Sequence, residues 1–257
     1  MNSAGLTIEV ADSVDSTNSE LLRRAAGTDI HRHLLVAERQ TAGRGRRGRG
    51  WSAVAGGSLT FSLGWRFEQG AERLGGLSLA AGVALARALD ASGYHDIELK
   101  WPNDLVHRGR KLGGILTESS GSAPGPTRAV VGVGINVRIP AEIRREVAAP
   151  ITDLASITET EAIDRNDLLA RLAIELAMSL QTYSTDGFAA FRSQWRRRDA
   201  LRDQSVQVLL PDGSTVLGVA VGVDADGALL IERGGRRLRF VNGEVSVRRA
   251  HSVSRPW

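Results

Sequence analysis

Residues 58–67, Ser-Leu-Thr-Phe-Ser-Leu-Gly-Trp-Arg-Phe, constrain the fold more than any other stretch. Leu59, Phe61, Leu63, Trp65 and Phe67 alternate with Thr60, Ser62, Gly64 and Arg66. Successive side chains of a strand point to opposite faces, so this period of two predicts a strand with one face buried. Five large apolar groups in one row need a covering layer, so the strand belongs to a sheet packed against other elements.

The rest of the chain supplies both. His33–Glu38, Ile97–Trp101, Lys111–Glu118 and Ala129–Val137 read as further strands. Leu74–Ala91 is small, apolar and Ala-rich and reads as a buried helix. In Asp164–Tyr183, Leu168, Leu172, Leu176 and Leu180 recur every four residues on one helical face, and Phe188–Arg198 continues as another helix. Thr17 and Glu20 fit a capping box ahead of Leu21 and Leu22, which predicts a helix over about Asn18–Ala26. Near Asp203 the character changes. Short β-type runs follow, punctuated by Asp212-Gly213, Asp226-Gly227 and Gly234-Gly235, which are hairpin signals. The expected architecture is α+β: a mixed sheet with helices over residues 1–200, then a small all-β domain of roughly five strands over 201–257.

Composition excludes several chemistries. With no cysteine among 257 residues, there is no disulfide, no Cys-ligated metal and no thiol nucleophile, so any acyl transfer must run without a thioester to the chain itself. No apolar run is long enough to span a membrane, and the N-terminus lacks a signal-peptide pattern, so the expected location is the cytoplasm with no membrane partner. The formal charge is +4, almost all of it from arginine; the two lysines, Lys100 and Lys111, fall in one short segment. A lysine kept in an arginine-rich chain suits a place that needs a compact ammonium.

Four segments carry candidate chemistry. Gln40–Trp51 interleaves Gly43, Gly45, Gly48 and Gly50 with Arg44, Arg46, Arg47 and Arg49, and Trp51 adds a flat ring. Mobile backbone with bidentate donors suits a lid over an anion, an arginine–glycine nucleic-acid contact, or a solvated loop. Mutual repulsion of the guanidinium groups predicts disorder when the loop is empty. Lys100-Trp-Pro-Asn-Asp104 ends a strand at Pro102, which places Asn103 and Asp104 in a turn. There Asp104 can hold a ribose, a magnesium ion or its own turn. Lys111 precedes Gly113 and Gly114, which leave room beside the strand for a ligand. Its ammonium suits a carboxylate and a phosphate that combine, or simply a strand start at the surface. Gly132-Val-Gly-Ile-Asn136 thins one side of a strand without being a dinucleotide fingerprint. Finally, Asp15-Ser-Thr-Asn18 reads as a helix cap.

Taken together and in order, these segments resemble the biotin–protein ligases. The signatures stand as Ser16-Thr17-Asn18, Gly43-Arg-Gly-Arg-Arg-Gly48, Lys100 to Asp104, Arg110 to Leu116, and Gly132-Val-Gly-Ile-Asn136. The resemblance implies a catalytic fold like that of class II aminoacyl-tRNA synthetases, followed by an SH3-like β-barrel. It implies that Ser16, Thr17, Asn18, Gln40, Arg44, Gly45, Arg46, Lys111, Gly114 and Gly132 bind biotin. It places Arg46, Arg49, Trp51, Asn103, Asp104, Lys111 and Asn136 on the nucleotide, with Lys111 and Arg46 catalytic. Magnesium would come with ATP and would not be held by protein side chains alone. The implied partner is the biotin carboxyl carrier domain of an acetyl-CoA or acyl-CoA carboxylase. Some family members carry an N-terminal DNA-binding domain. Here Ser16 stands near the start, so neither DNA binding nor repression is expected. The related reading is a lipoate–protein ligase; the reading from another class is a nucleic-acid-binding protein that uses the Arg/Gly loop.

Overall fold

The computed structural model describes residues 5–120, 125–147, 150–158, 163–241 and 246–249. A first sheet has seven strands: β1 (Thr7–Val14), β2 (His33–Gln40), β3 (Ser58–Phe67), β4 (Ile97–Lys100), β5 (Asp104–His107), β6 (Arg110–Ser120) and β7 (Thr127–Asn136). Their order is β1-β2-β3-β7-β6-β5-β4. β1 and β2 are parallel and every other neighbouring pair is antiparallel. The sheet is therefore mixed, as expected.

Both faces of this sheet are covered. On one side the odd-numbered residues of β3 join a large core with α2 (Leu77–Ala91), α5 (Arg165–Asp186) and α6 (Ala189–Arg197). Two shorter helices, α3 (Ala141–Glu146) and α4 (Leu154–Thr158), lie between β7 and α5 in sequence. On the other side α1 (Thr17–Arg24) packs Leu21 and Ala25 against Ile30, Leu35 and Val130 in a small second core.

The expectation of a single buried face on β3 is thus corrected. Thr60, Ser62 and Gly64 are buried as well, because β3 is an inner strand and α1 roofs its polar side. Two strands went unpredicted. β1 is an edge strand with Ile8 and Val10 exposed, so its apolar residues do not alternate into a core. β5 is four residues long, and Asp104 opens it instead of sitting in the turn. The cap of α1 is also one residue earlier than the capping box implied. Ser16 Oγ accepts from Ser19 N at 3.5 Å, and Thr17 already lies inside the helix. Glu20 does not reach back to the cap; it pairs with Arg23 and Arg24.

A second sheet holds β8 (Ser205–Leu209), β9 (Thr215–Val223), β10 (Leu229–Arg233), β11 (Arg236–Phe240) and β12 (Ser246–Arg249), all antiparallel, in the order β11-β10-β9-β8-β12. The three predicted turn pairs join β8 to β9, β9 to β10 and β10 to β11. Gly234 and Gly235 both have positive φ, 55° and 73°, as a two-residue hairpin turn requires. The predicted end of this unit, residue 257, lies outside the described residues. Trp101 ties the two sheets: its indole N–H donates to Gly227 O at 3.0 Å. No helix among the described residues is long and apolar enough to cross a membrane.

Candidate active site

The α1 side of the sheet is where the motifs converge. Its floor is made by β6 and β7, and the key event there is a break in strand register. A regular ladder would send Lys111 and Gly114, three residues apart, to opposite faces. Between β5 and β6 the register shifts: Leu105 pairs Gly113, but Val106 pairs Lys111. The extra residue turns Lys111 onto the face of Gly114. Asp104 is directly across from Gly114, and Lys111 Nζ lies 2.6 Å from Asp104 Oδ1. On β7, Gly132 and Gly134 share the same face while Val131, Val133 and Ile135 enter the large core.

Missing side chains on β7 are filled by residues from elsewhere. A Cβ on Gly132 would lie 2.0 Å from Asn18 Oδ1, and one on Gly134 would lie 2.4 Å from the Trp51 indole. Asn18 and Trp51 are therefore seated directly on backbone.

One wall is a polar network. Thr17 N donates to Gln40 Oε1 at 2.8 Å. Ser62 Oγ, fully buried, is 2.7 Å from Thr17 Oγ1 and 2.6 Å from Asn18 Oδ1. Asn18 Nδ2 donates to Leu116 O at 3.1 Å and to Glu118 Oε2 at 3.0 Å. Both amide hydrogens of Asn18 are thereby used.

The roof is the Arg/Gly loop. It folds as a small hairpin with Arg44 bridged to Gly50 and a single helical turn over Arg46–Gly48 at its tip. Arg44 extends to Ser19 Oγ (3.1 Å) and Glu118 Oε1 (2.7 Å). Arg46 turns inward, its Nη1 3.4 Å from Asn103 Oδ1, while Asn103 is itself held by Nδ2 to Ile115 O at 2.7 Å. Burial and the neighbouring Arg49 lower the pKa of Arg46, although a guanidinium stays protonated in any protein environment. Its Nη2 is buried and has no hydrogen-bond partner among the described residues. Trp51 closes the end of the cleft, with Lys111 Nζ 5.7 Å from its ring centroid.

The cleft thus gathers Arg44, Arg46, Arg49 and Lys111 around Asp104, which Lys111 already neutralises. Such a set binds anions and steadies negative charge that develops during a reaction. About 130 Å³ remains free between floor and roof. Ligand pockets usually measure roughly 300–1,000 Å³, so with the roof in this position the cleft is narrower than most.

Residues 10–136 match the biotin/lipoate A/B protein ligase family, and residues 203–248 match the biotin protein ligase C-terminal domain. A curated relative, the bifunctional ligase/repressor BirA of Escherichia coli, is 37% identical over 249 residues, 96% of this chain and 75% of the relative. The biotin–[acetyl-CoA-carboxylase] ligase of Mycobacterium tuberculosis is 39% identical over 245 residues, covering 93% of this chain and 88% of that one. This chain belongs to the biotin protein ligases. Among solved structures, the biotin protein ligase of Aquifex aeolicus in complex with biotin and ATP has a TM-score of 0.78 at 28% identity, covering 95% of this chain and 99% of that one.

Against that family pattern, fourteen of the sequence-derived positions line the cleft: Ser16, Thr17, Asn18, Gln40, Arg44, Gly45, Arg46, Arg49, Trp51, Asn103, Asp104, Lys111, Gly114 and Gly132. Asn136 does not. It follows Gly132 and Gly134 on the same face of β7 and is buried, where Nδ2 donates to Thr152 O at 2.9 Å and lies 3.5 Å from Lys111 O. Asn136 therefore pins residues 150–152 to the strand that carries Lys111. Sequence reasoning missed Ser62 and Glu118. Ser62 lies on the polar side of the β3 alternation, and Glu118 stands two residues beyond Leu116 on the cleft face of β6. Those periods were the available signal.

Proposed function

We propose that this chain is an ATP-dependent biotin–protein ligase. The observation that carries the reading is the pair Arg46 and Lys111: a half-buried guanidinium with an unpartnered N–H and an ammonium re-aimed by a bulge, both facing one cleft. In the first step a biotin carboxylate oxygen attacks the α-phosphorus of ATP. The bond from that phosphorus to the bridging oxygen breaks, and pyrophosphate leaves. Two anions must meet, so fixed cations have to offset their repulsion. Lys111 and Arg46 supply that charge. Thr17, Gln40, Asn18 and Gly132 frame the biotin side, with Ser16, Arg44, Gly45 and Gly114 around it. Arg49, Trp51, Asn103 and Asp104 face the nucleotide, with Asn136 on the same side. In the second step a lysine amine of the acceptor attacks the acyl carbon, the bond to AMP breaks, and biotin is joined by an amide. The closed loop keeps water from the mixed anhydride between steps.

The relatives named as acetyl-CoA-carboxylase ligases support a biotin carboxyl carrier domain as acceptor. Magnesium would arrive on the nucleotide. Among the described residues no cluster of three acidic or histidine side chains could hold a metal, and Asp104 is engaged by Lys111. We read residues 1–200 as a class II synthetase-like catalytic unit and 201–257 as an SH3-like barrel, a division that agrees with the two family matches.

The test is exchange of labelled pyrophosphate into ATP with biotin, lipoate and octanoate in parallel, on wild type and Lys111→Ala. Exchange with biotin alone, lowered about 10²- to 10³-fold in the variant, is the expected result. Exchange with lipoate instead moves the chain to lipoate ligation, and no exchange with any acid ends the ligase reading.

A further inference from the structure

A carboxylate beside a cleft built for two anions is electrostatically unfavourable unless it serves another purpose. Asp104 is balanced by Lys111 at 2.6 Å. Glu118 is the second carboxylate at this site, and it stands behind the lining without touching the free space. Its two oxygens serve two different lining residues. Oε1 accepts from Arg44 Nη2 at 2.7 Å, and Oε2 accepts from Asn18 Nδ2 at 3.0 Å.

These contacts close a circuit. Gln40 holds Thr17, Thr17 meets Ser62, and Ser62 meets Asn18. Asn18 meets Glu118, and Glu118 meets Arg44, four residues beyond Gln40 in the chain. The fixed wall of the cleft and the first cation of the mobile roof are thus joined through one side chain. Arg44 donates with one edge to Glu118 and Ser19. A guanidinium has five N–H donors, so others remain for a ligand without breaking these bonds.

We propose that Glu118 is a positioning residue for biotin binding, acting through Arg44 and Asn18. It sets the Arg44 guanidinium in place before the substrate carboxylate arrives, and it fixes which end of the Asn18 amide faces Ser62. The inference rests on the reading of this cleft as the biotin and ATP site. The chemistry requires a carboxylate at 118. Both oxygens accept from donors, whereas a glutamine has one acceptor and would turn its own N–H toward either Arg44 or Asn18.

The test is a double-mutant cycle on the full chain with Glu118→Gln and Arg44→Gln, read by biotin-dependent pyrophosphate exchange, with thermal midpoints measured alongside. Residues that act through one another are non-additive. Glu118→Gln alone should raise the biotin KM about tenfold with kcat within about threefold, and in the Arg44→Gln background it should add less than about threefold. Glu118→Asp, which keeps both acceptors, should recover part of the KM. Fully multiplicative effects overturn the proposal. So does a loss in kcat that follows a fall in thermal midpoint, since that marks a merely structural role. An inactive wild type would instead overturn the underlying ligase reading.

Discussion

The side-chain oxygen of Asn18 sits so close to the α-carbon of Gly132 that a methyl group there would lie 2.0 Å from Oδ1. The obstacle is an amide held at both ends by Ser62, Leu116 and Glu118, so it cannot swing away freely. Gly132→Ala should therefore displace Asn18. We expect a biotin KM raised about tenfold or more and a stability loss of ~1–3 kcal/mol from overpacking. Exchange kinetics and urea unfolding of the same preparation check both.

Arg46 offers two kinds of loss. Arg46→Gln removes the charge, and exchange should fall about 10²- to 10³-fold. Arg46→Lys keeps the charge but gives up the planar fork that reaches both Asn103 and an anion, so it should recover little of that loss. Full recovery by lysine would mean that only charge is needed there. Steady-state exchange rates at saturating ATP separate these outcomes.

The backbone of the roof closes on itself. Gly45 N donates to Arg49 O, Trp51 N donates to Gly43 O, and residues 47–50 are exposed. A hairpin of this kind opens locally at small energetic cost. Trypsin should cut the free protein first within Arg44–Arg49, and biotin with ATP should slow that cleavage severalfold. Trp51 fluorescence should change on the same titration, since the ring lines the cleft and packs on Gly134. Mass spectrometry of the first fragments locates the cut.

Asp199 supplies a pH dependence. Its Oδ1 accepts from Leu201 N at 2.9 Å, but Oδ2 is buried with no partner among the described residues, and burial pushes the pKa up to about 6. The folded protein therefore holds this proton more tightly than the unfolded chain. Below about pH 4 the group is neutral in both states and carries no penalty. The penalty grows as pH rises toward 6 and is complete above it. It is on the order of 3 kcal/mol. Asp199→Asn should raise the thermal midpoint at pH 8 and leave it nearly unchanged at pH 4, which scanning fluorimetry at the two pH values measures.

Much of this protein was legible in its sequence, for local reasons. The alternation in residues 58–67 demanded a strand, the four-residue leucine spacing in 164–183 demanded a helix, and Gly234-Gly235 demanded a tight hairpin. The motif residues that form the cleft could be named because each carries a chemistry, guanidinium, ammonium or amide, that is visible in one letter. Tertiary structure decided what depends on partners distant in the chain. Only the register shift between β5 and β6 turns Lys111 toward Asp104. Glu118 meets Arg44 across 74 residues, and Asn136 is held to Thr152 and Lys111. α1 buries the polar side of β3 that looked solvent-facing. Sequence period records which way a side chain points along its own element, whereas pairing register and layer order fix what it meets, and those are set by contacts no local pattern contains.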